Sequence, residues 1–161
     1  MKIFSSAAIT LALVATPAAA SFSKFMGDDK VTVYKNDQRP MCYSHVEFDD
    51  GGSISFSRDL TDNSTAILIL KPVSRPGVDR EDVPITLYIG GWGKADMTAD
   101  VNFKDGKKQY YLSVDGTILF DRLAKSDGVI VTIGKTIEAQ IQFDGLPMPS
   151  IIDATNLCAK S

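Results

Sequence analysis

Apolar and polar residues alternate with period two along most of this chain, and that alternation confines it to β-strands more tightly than any other feature. β-branched and aromatic residues fill the apolar positions, and turn formers separate the runs. Val31-Thr32-Val33-Tyr34 reads as a first strand, followed by a turn at Asn36-Asp37-Gln38-Arg39-Pro40. Met41 to Phe48 alternates through Cys42, Ser44, Val46 and Phe48, and Ser53 to Ser57 sets Ile54 and Phe56 on one face. Between them, Asp49-Asp50-Gly51-Gly52 is a hairpin signal. Ala66 to Leu70 is a continuous apolar run of the kind found in a buried strand. Residues 71–83 hold two prolines, a glycine and the Arg80-Glu81-Asp82 cluster, and read as loop. Ile85 to Ile89, Ala99 to Phe103, Gln109 to Val114, Val129 to Ile133 and Thr136 to Phe143 supply the remaining strands. Lys104-Asp105-Gly106-Lys107-Lys108 is a second tight hairpin.

Two stretches change period. Thr117 to Lys125 spaces Leu119, Phe120 and Leu123 as a helix does, with Gly128 as its stop. A last short helix begins at Ser150, where Ser150 and Asp153 have the spacing of a capping box. Its Ile151, Ala154 and Cys158 share a face, with Leu157 beside them. The predicted fold is therefore mainly β: an antiparallel sheet or two-sheet sandwich of about seven to nine strands, with two short helices near the C-terminus. Helices do not alternate with strands early on, which excludes a doubly wound α/β fold.

The first twenty residues differ from the rest. Lys2 gives a positive start, Ile3 to Ala15 an apolar stretch, and Ala18-Ala19-Ala20 an A-x-A cleavage site after Pro17. This is the pattern of a secretory signal peptide, with cleavage expected after Ala20 and Ser23 the nearest alternative. The apolar run is shorter than the roughly 20 residues that span a bilayer. Residues 1–20 are thus read as a signal peptide and 21–161 as a single β-rich domain, periplasmic or secreted, with no membrane span after cleavage. Cys42 and Cys158 both lie in the exported part, where a disulfide is expected. It would close a loop that the chain-entropy model values at roughly 4–5 kcal/mol. Neither cysteine lies in a C-x-x-C or beside a Lys, Arg or His, so redox chemistry is disfavoured.

Of the 161 residues, 17 are Lys or Arg and 20 Asp or Glu. Without Lys2 the balance is 16 to 20, a net charge of −4. With a pI near 5.1 the chain lacks the basic stripe of a nucleic-acid binder. One His and two Cys exclude a His- or Cys-rich metal centre, and no cofactor is expected. His45 is the one side chain that ordinarily titrates near neutrality, but adjacent Ser44 and His45 on a strand face opposite ways. No G-x-S-x-G elbow presents a nucleophile. Asp28-Asp29 and Asp49-Asp50 are neighbours, not carboxylates facing across a cleft, and with Asp59 and Asp62 they lack the EF-hand ladder. Gly90-Gly91-Trp92-Gly93 lacks the phosphate-loop spacing and reads as a turn presenting Trp92, a contact candidate because Trp is enriched at binding hot spots. Lys104, Lys107 and Lys108 form a basic tip near Tyr110 and Tyr111, the second candidate binding surface. Asn63-Ser64-Thr65 fits a glycosylation sequon that matters only in a eukaryotic secretory host.

The order from Gly116 to Cys158 is a helix "TILFDRLAKSDG", strands "VIVTI" and "TIEAQIQFDGL", and a helix ending "IIDATNLC". It resembles the C-terminal part of small periplasmic proteins of the invasion-associated locus B family of Gram-negative bacteria. Phe143-Asp144-Gly145-Leu146 and Leu157-Cys158 are its most specific points. The chain departs from the family in having fewer cysteines and Leu146 where those proteins carry an aromatic. The resemblance implies a periplasmic β-sandwich-like domain with a role at the cell envelope, and it transfers no catalytic residue. Together these features lead to the expectation of an exported, non-enzymatic binding protein with a protein partner, as an inhibitor or immunity-type protein for an envelope-acting enzyme or toxin. The alternatives are an invasion-associated envelope or host-interaction factor, and a small hydrolase using His45.

Overall fold

A computed structural model describes residues 21–28 and 30–161. Residues 1–20, where a signal peptide with cleavage after Ala20 is expected, and Asp29 of the Asp28-Asp29 pair lie outside the described residues. The chain builds β1 (Phe22–Gly27), β2 (Val31–Asn36), β3 (Met41–Glu47), β4 (Ser53–Asp59), β5 (Ser64–Pro72), β6 (Arg80–Ile89), β7 (Gly93–Lys104) and β8 (Lys107–Asp115). It continues with α1 (Ile118–Leu123), β9 (Gly128–Ile133), β10 (Thr136–Gln142) and α2 (Met148–Lys160). All ten strands join one antiparallel sheet in the order β1-β2-β3-β4-β5-β8-β7-β6-β9-β10. The nine strand runs visible in the sequence are all present, and β1 is added to them.

The sheet bends over itself, so that its last strand faces its middle. The ring of Phe143, just past β10, meets that of Phe56 on β4 edge-on, with centroids 6.1 Å apart. Ile54, Phe56, Ile67, Ile69, Leu87, Val101, Tyr110, Leu112 and Val131 line this concave side and are buried, with α1 and α2 completing the core through Leu119, Phe120, Leu123, Ile151 and Ile152. Burying each such aliphatic or aromatic side chain contributes roughly 1.5–3 kcal/mol. The helix α2 lies across β2, β3 and β4. There Cys158 is bonded to Cys42 of β3, with their Cα atoms 5.9 Å apart, inside a small core with Val33 and Ala159. Among the described residues no helix is long and apolar enough to cross a membrane.

The turns follow the sequence closely. Asp105 and Gly106 form the two-residue loop between β7 and β8 with φ of 53° and 72°, the left-handed pair that matches strand twist. The Asp50 carboxylate accepts the N–H of Gly52 at 2.8 Å in the β3–β4 turn. Three expectations change. The loop expected over 71–83 is confined to 73–79, because β5 runs to Pro72 and β6 begins at Arg80, where a bulge between Arg80 and Val83 absorbs the charged residues. The last helix begins at Met148, with Pro147 as N-cap and Pro149 in the first turn, so Ser150 and Asp153 form no capping box. Proline lacks only an N–H that the first turn leaves unpaired anyway. Leu157 is 64% exposed and lies off the buried face of α2.

Candidate functional site

The basic tip divides in two. Lys104 is exposed at the β7–β8 hairpin and Lys107 is half-buried beside it. Tyr110 belongs to the core, at 0% exposure, and is not a surface contact. Strand alternation sends Tyr111 outward instead, 43% exposed. Lys108 turns toward the same interior place as Tyr110, and both meet Glu138.

Glu138 reaches that place because of a β-bulge. Ile137 pairs with Thr132 and Ala139 with Val131, leaving Glu138 as the extra residue of β10. The bulge turns Ile137 out to 58% exposure and aims the Glu138 carboxylate inward. Lys108 donates to it as a largely buried ion pair, and Tyr110 Oη donates at 2.7 Å. The Lys108 ammonium also sits 5.0 Å from the Tyr110 ring centroid and 5.8 Å from that of Phe103. Burial alone would raise the Glu138 carboxyl, but hydrogen bonds from Lys108 and Tyr110 outweigh it and hold the group below its ordinary value. Burial, reinforced by the Glu138 hydrogen bond and charge, pushes the Tyr110 hydroxyl far above its own. Lys71 of β5 donates to the backbone carbonyl of Glu138 at 3.0 Å, so β10 is fastened to both β5 and β8.

Alongside these contacts runs a cleft of about 460 Å³ between β10 and the β4–β5 region. Phe48, Ile69 and Leu70 line one side, Ile137, Ala139 and Ile141 the other, and Asp50 and Lys71 stand among them. Its size falls in the range of small-ligand sites. Apart from Phe48, Asp50 and the strand assignments, none of these residues stood out in the sequence. Glu138 in particular is invisible there, because regular alternation puts it on the face opposite Ile137 and Ala139.

Trp92 lies at the turn after β6, 41% exposed, and is not part of the cleft lining. The Arg122 guanidinium of α1 stacks 3.2 Å from its ring centroid. Ser44 and His45 do face opposite ways. Ser44 is buried against Thr155 of α2, while His45 lies on the outer side of the sheet. Outside, His45 Nδ1 is 2.9 Å from Ser55 Oγ and its Nε2 is 3.4 Å from Glu47 Oε1. The acidic turns are internally satisfied: Asp28 accepts the N–H groups of Lys30 and Val31, and Asp62 that of Ser64. The Val31 and Lys30 N–H bonds lower the Asp28 carboxyl, and hydrogen bonding by Ser64, from its side chain first and then its N–H, lowers that of Asp62. Asp59 pairs with Arg39 at 3.2 Å. Among the described residues no group of three His, Cys, Asp or Glu side chains is placed to hold a metal ion.

No protein-family model, curated protein or solved structure matches this chain. The fold and the cleft alone therefore carry the functional reading.

Proposed function

We propose that the chain is an exported, non-enzymatic binding protein that engages a protein partner, in an inhibitor or immunity-type role toward an enzyme or toxin acting at the cell envelope. The cleft beside β10, the last strand of the sheet among the described residues, carries this reading: it sets backbone without a partner among those residues beside apolar side chains on a strand already held in place. A preorganised surface of that kind loses little entropy on association. The Cys42–Cys158 bond suits an oxidising compartment, which supports an extracytoplasmic site of action. Trp92 and the Lys104–Lys107 tip offer further contact area at other places. The test immobilises oxidised residues 21–161 and exposes them to periplasmic extract. One stoichiometric partner, whose activity falls to zero at a one-to-one ratio, is the expected result. The absence of any partner at low and moderate salt contradicts the reading.

A second reading, a small hydrolase, draws support from the Ser55–His45–Glu47 array. The array lies on an outward sheet face, and only its Glu47 borders a cleft, one shared with Val46, Phe48 and Gln142, whereas Ser55 and His45 line none. Hydrolysis of an ester panel that disappears in both His45→Ala and Ser55→Ala would favour it. An envelope or host-interaction role is compatible with the same scaffold, and gene deletion with measurement of envelope integrity and host-cell entry separates it from inhibition.

A further inference from the structure

We propose that the cleft along β10 receives the C-terminal tail of the partner, added as an extended strand antiparallel to β10 with its terminal carboxylate on Lys71. This rests on the protein-partner reading and names its surface. The backbone comes first. The Phe143 N–H donates to Asp127 at 2.8 Å on the β9 side, so strand alternation turns the N–H and C=O groups of Gln140 and Gln142 away from β9. β10 is the last strand of the sheet, and no backbone partner for those groups exists among the described residues. The Glu138 carbonyl has the same outward parity and is the one that Lys71 occupies.

Direction follows from this arrangement. A strand antiparallel to β10 runs from Gln142 toward Glu138, so its last residue arrives at Lys71. The Lys71–Glu138 bridge obstructs further travel, which suits a chain terminus better than an internal segment. A parallel strand would instead bring its terminal ammonium to a lysine. Charge agrees with the antiparallel choice. Lys108 is neutralised by Glu138, whereas Lys71 has no carboxylate within ion-pair distance among the described residues. A cation seated on a neutral carbonyl retains its attraction for a carboxylate. Phe48, Ile69 and Ile141 then receive alternate side chains of the added strand, while the main chain supplies the ladder.

The test uses a fluorescein-labelled hexapeptide of alternating threonine and valine, as the free acid and as the C-terminal amide, read by fluorescence anisotropy. The free acid is expected to bind about tenfold more tightly than the amide, a difference of one charge-assisted contact. Lys71→Gln erases that difference. Gln140→Pro abolishes binding but keeps the circular dichroism of the parent, because the N–H it removes faces away from β9. Should Gln140→Pro lose the fold, the acid-to-amide ratio in Lys71→Gln decides by itself. Equal binding of acid and amide to the parent, or no binding of the acid at millimolar concentration, overturns the proposal. Partner capture separates it from the broader reading. A partner retained undiminished by Lys71→Gln and folded Gln140→Pro overturns the tail site and leaves a protein-binding role standing, whereas no partner for the parent sinks both.

Discussion

The two edges of the sheet solve the same problem differently. β1 exposes all six of its residues and carries Lys24 at its middle and a register shift between Lys24 and Met26. Charge and irregularity are common protections of a free edge. Its ties are the ladder to β2, the Ser23–Asp37 hydrogen bond at 2.7 Å and the Phe22–Tyr43 contact. β10 also has a bulge, but that bulge drives a carboxylate into the interior and fastens the strand to β8 and β5. One edge is therefore loose with little apolar support, and the other is held open beside an apolar cleft.

Breaking the covalent tie has the largest expected effect and acts on the β1 side of the sheet, where Cys42 and Cys158 join β3 to α2. The double variant Cys42→Ala, Cys158→Ala should lose roughly 4–5 kcal/mol by the chain-entropy model, read as a fall in urea midpoint. An unchanged midpoint would mean that packing of α2 alone secures that half. On the other side, Glu138→Gln leaves Lys108 without its counter-charge and should cost about 1–3 kcal/mol at neutral pH. Because Glu138 is held below its ordinary value of 4.5, its stabilising share is complete above that pH and is lost as pH falls through the lower folded value. The gap in thermal midpoint between parent and Glu138→Gln should accordingly close below pH 4.5. A gap constant down to strong acid would show that the carboxylate's charge plays no part. The smallest effect belongs to Gly27→Ala. Gly27 has φ of 127°, and a Cβ there would lie 2.2 Å from the Val31 carbonyl oxygen, so β1 should detach. Since no residue of β1 belongs to the core, global stability should fall by about 1 kcal/mol or less, while proteolysis near the N-terminus accelerates.

The contrast also explains what the sequence reveals. Strands such as Ser53–Asp59 and Ser64–Pro72 bury Ile54, Phe56, Ile67 and Ile69, and burial writes itself as alternation or an apolar run. Phe22–Gly27 contributes no residue to the core and leaves no such mark. The Asp105-Gly106 turn was legible because local chemistry determines it, and the Cys42–Cys158 bond because two cysteines allow only one pairing. The cleft was not. It depends on a one-residue slip in the pairing of β10 with β9, set by contacts with Lys108 and Tyr110 some 30 and 28 residues away. Tyr110 illustrates the same point: the sequence places it at a basic tip, and only the fold of the sheet shows which of Tyr110 and Tyr111 points inward.

Amide hydrogen exchange of the native protein addresses the difference between the edges most directly. The N–H groups of Ala139 and Ile141 face β9, and their protection reports the opening of β10. They should exchange at least about a hundredfold more slowly than the amides of the β1–β2 ladder, and Glu138→Gln should remove most of that margin. Equal protection at the two edges, or a β10 that opens before β1, would contradict the account of β10 as the held edge.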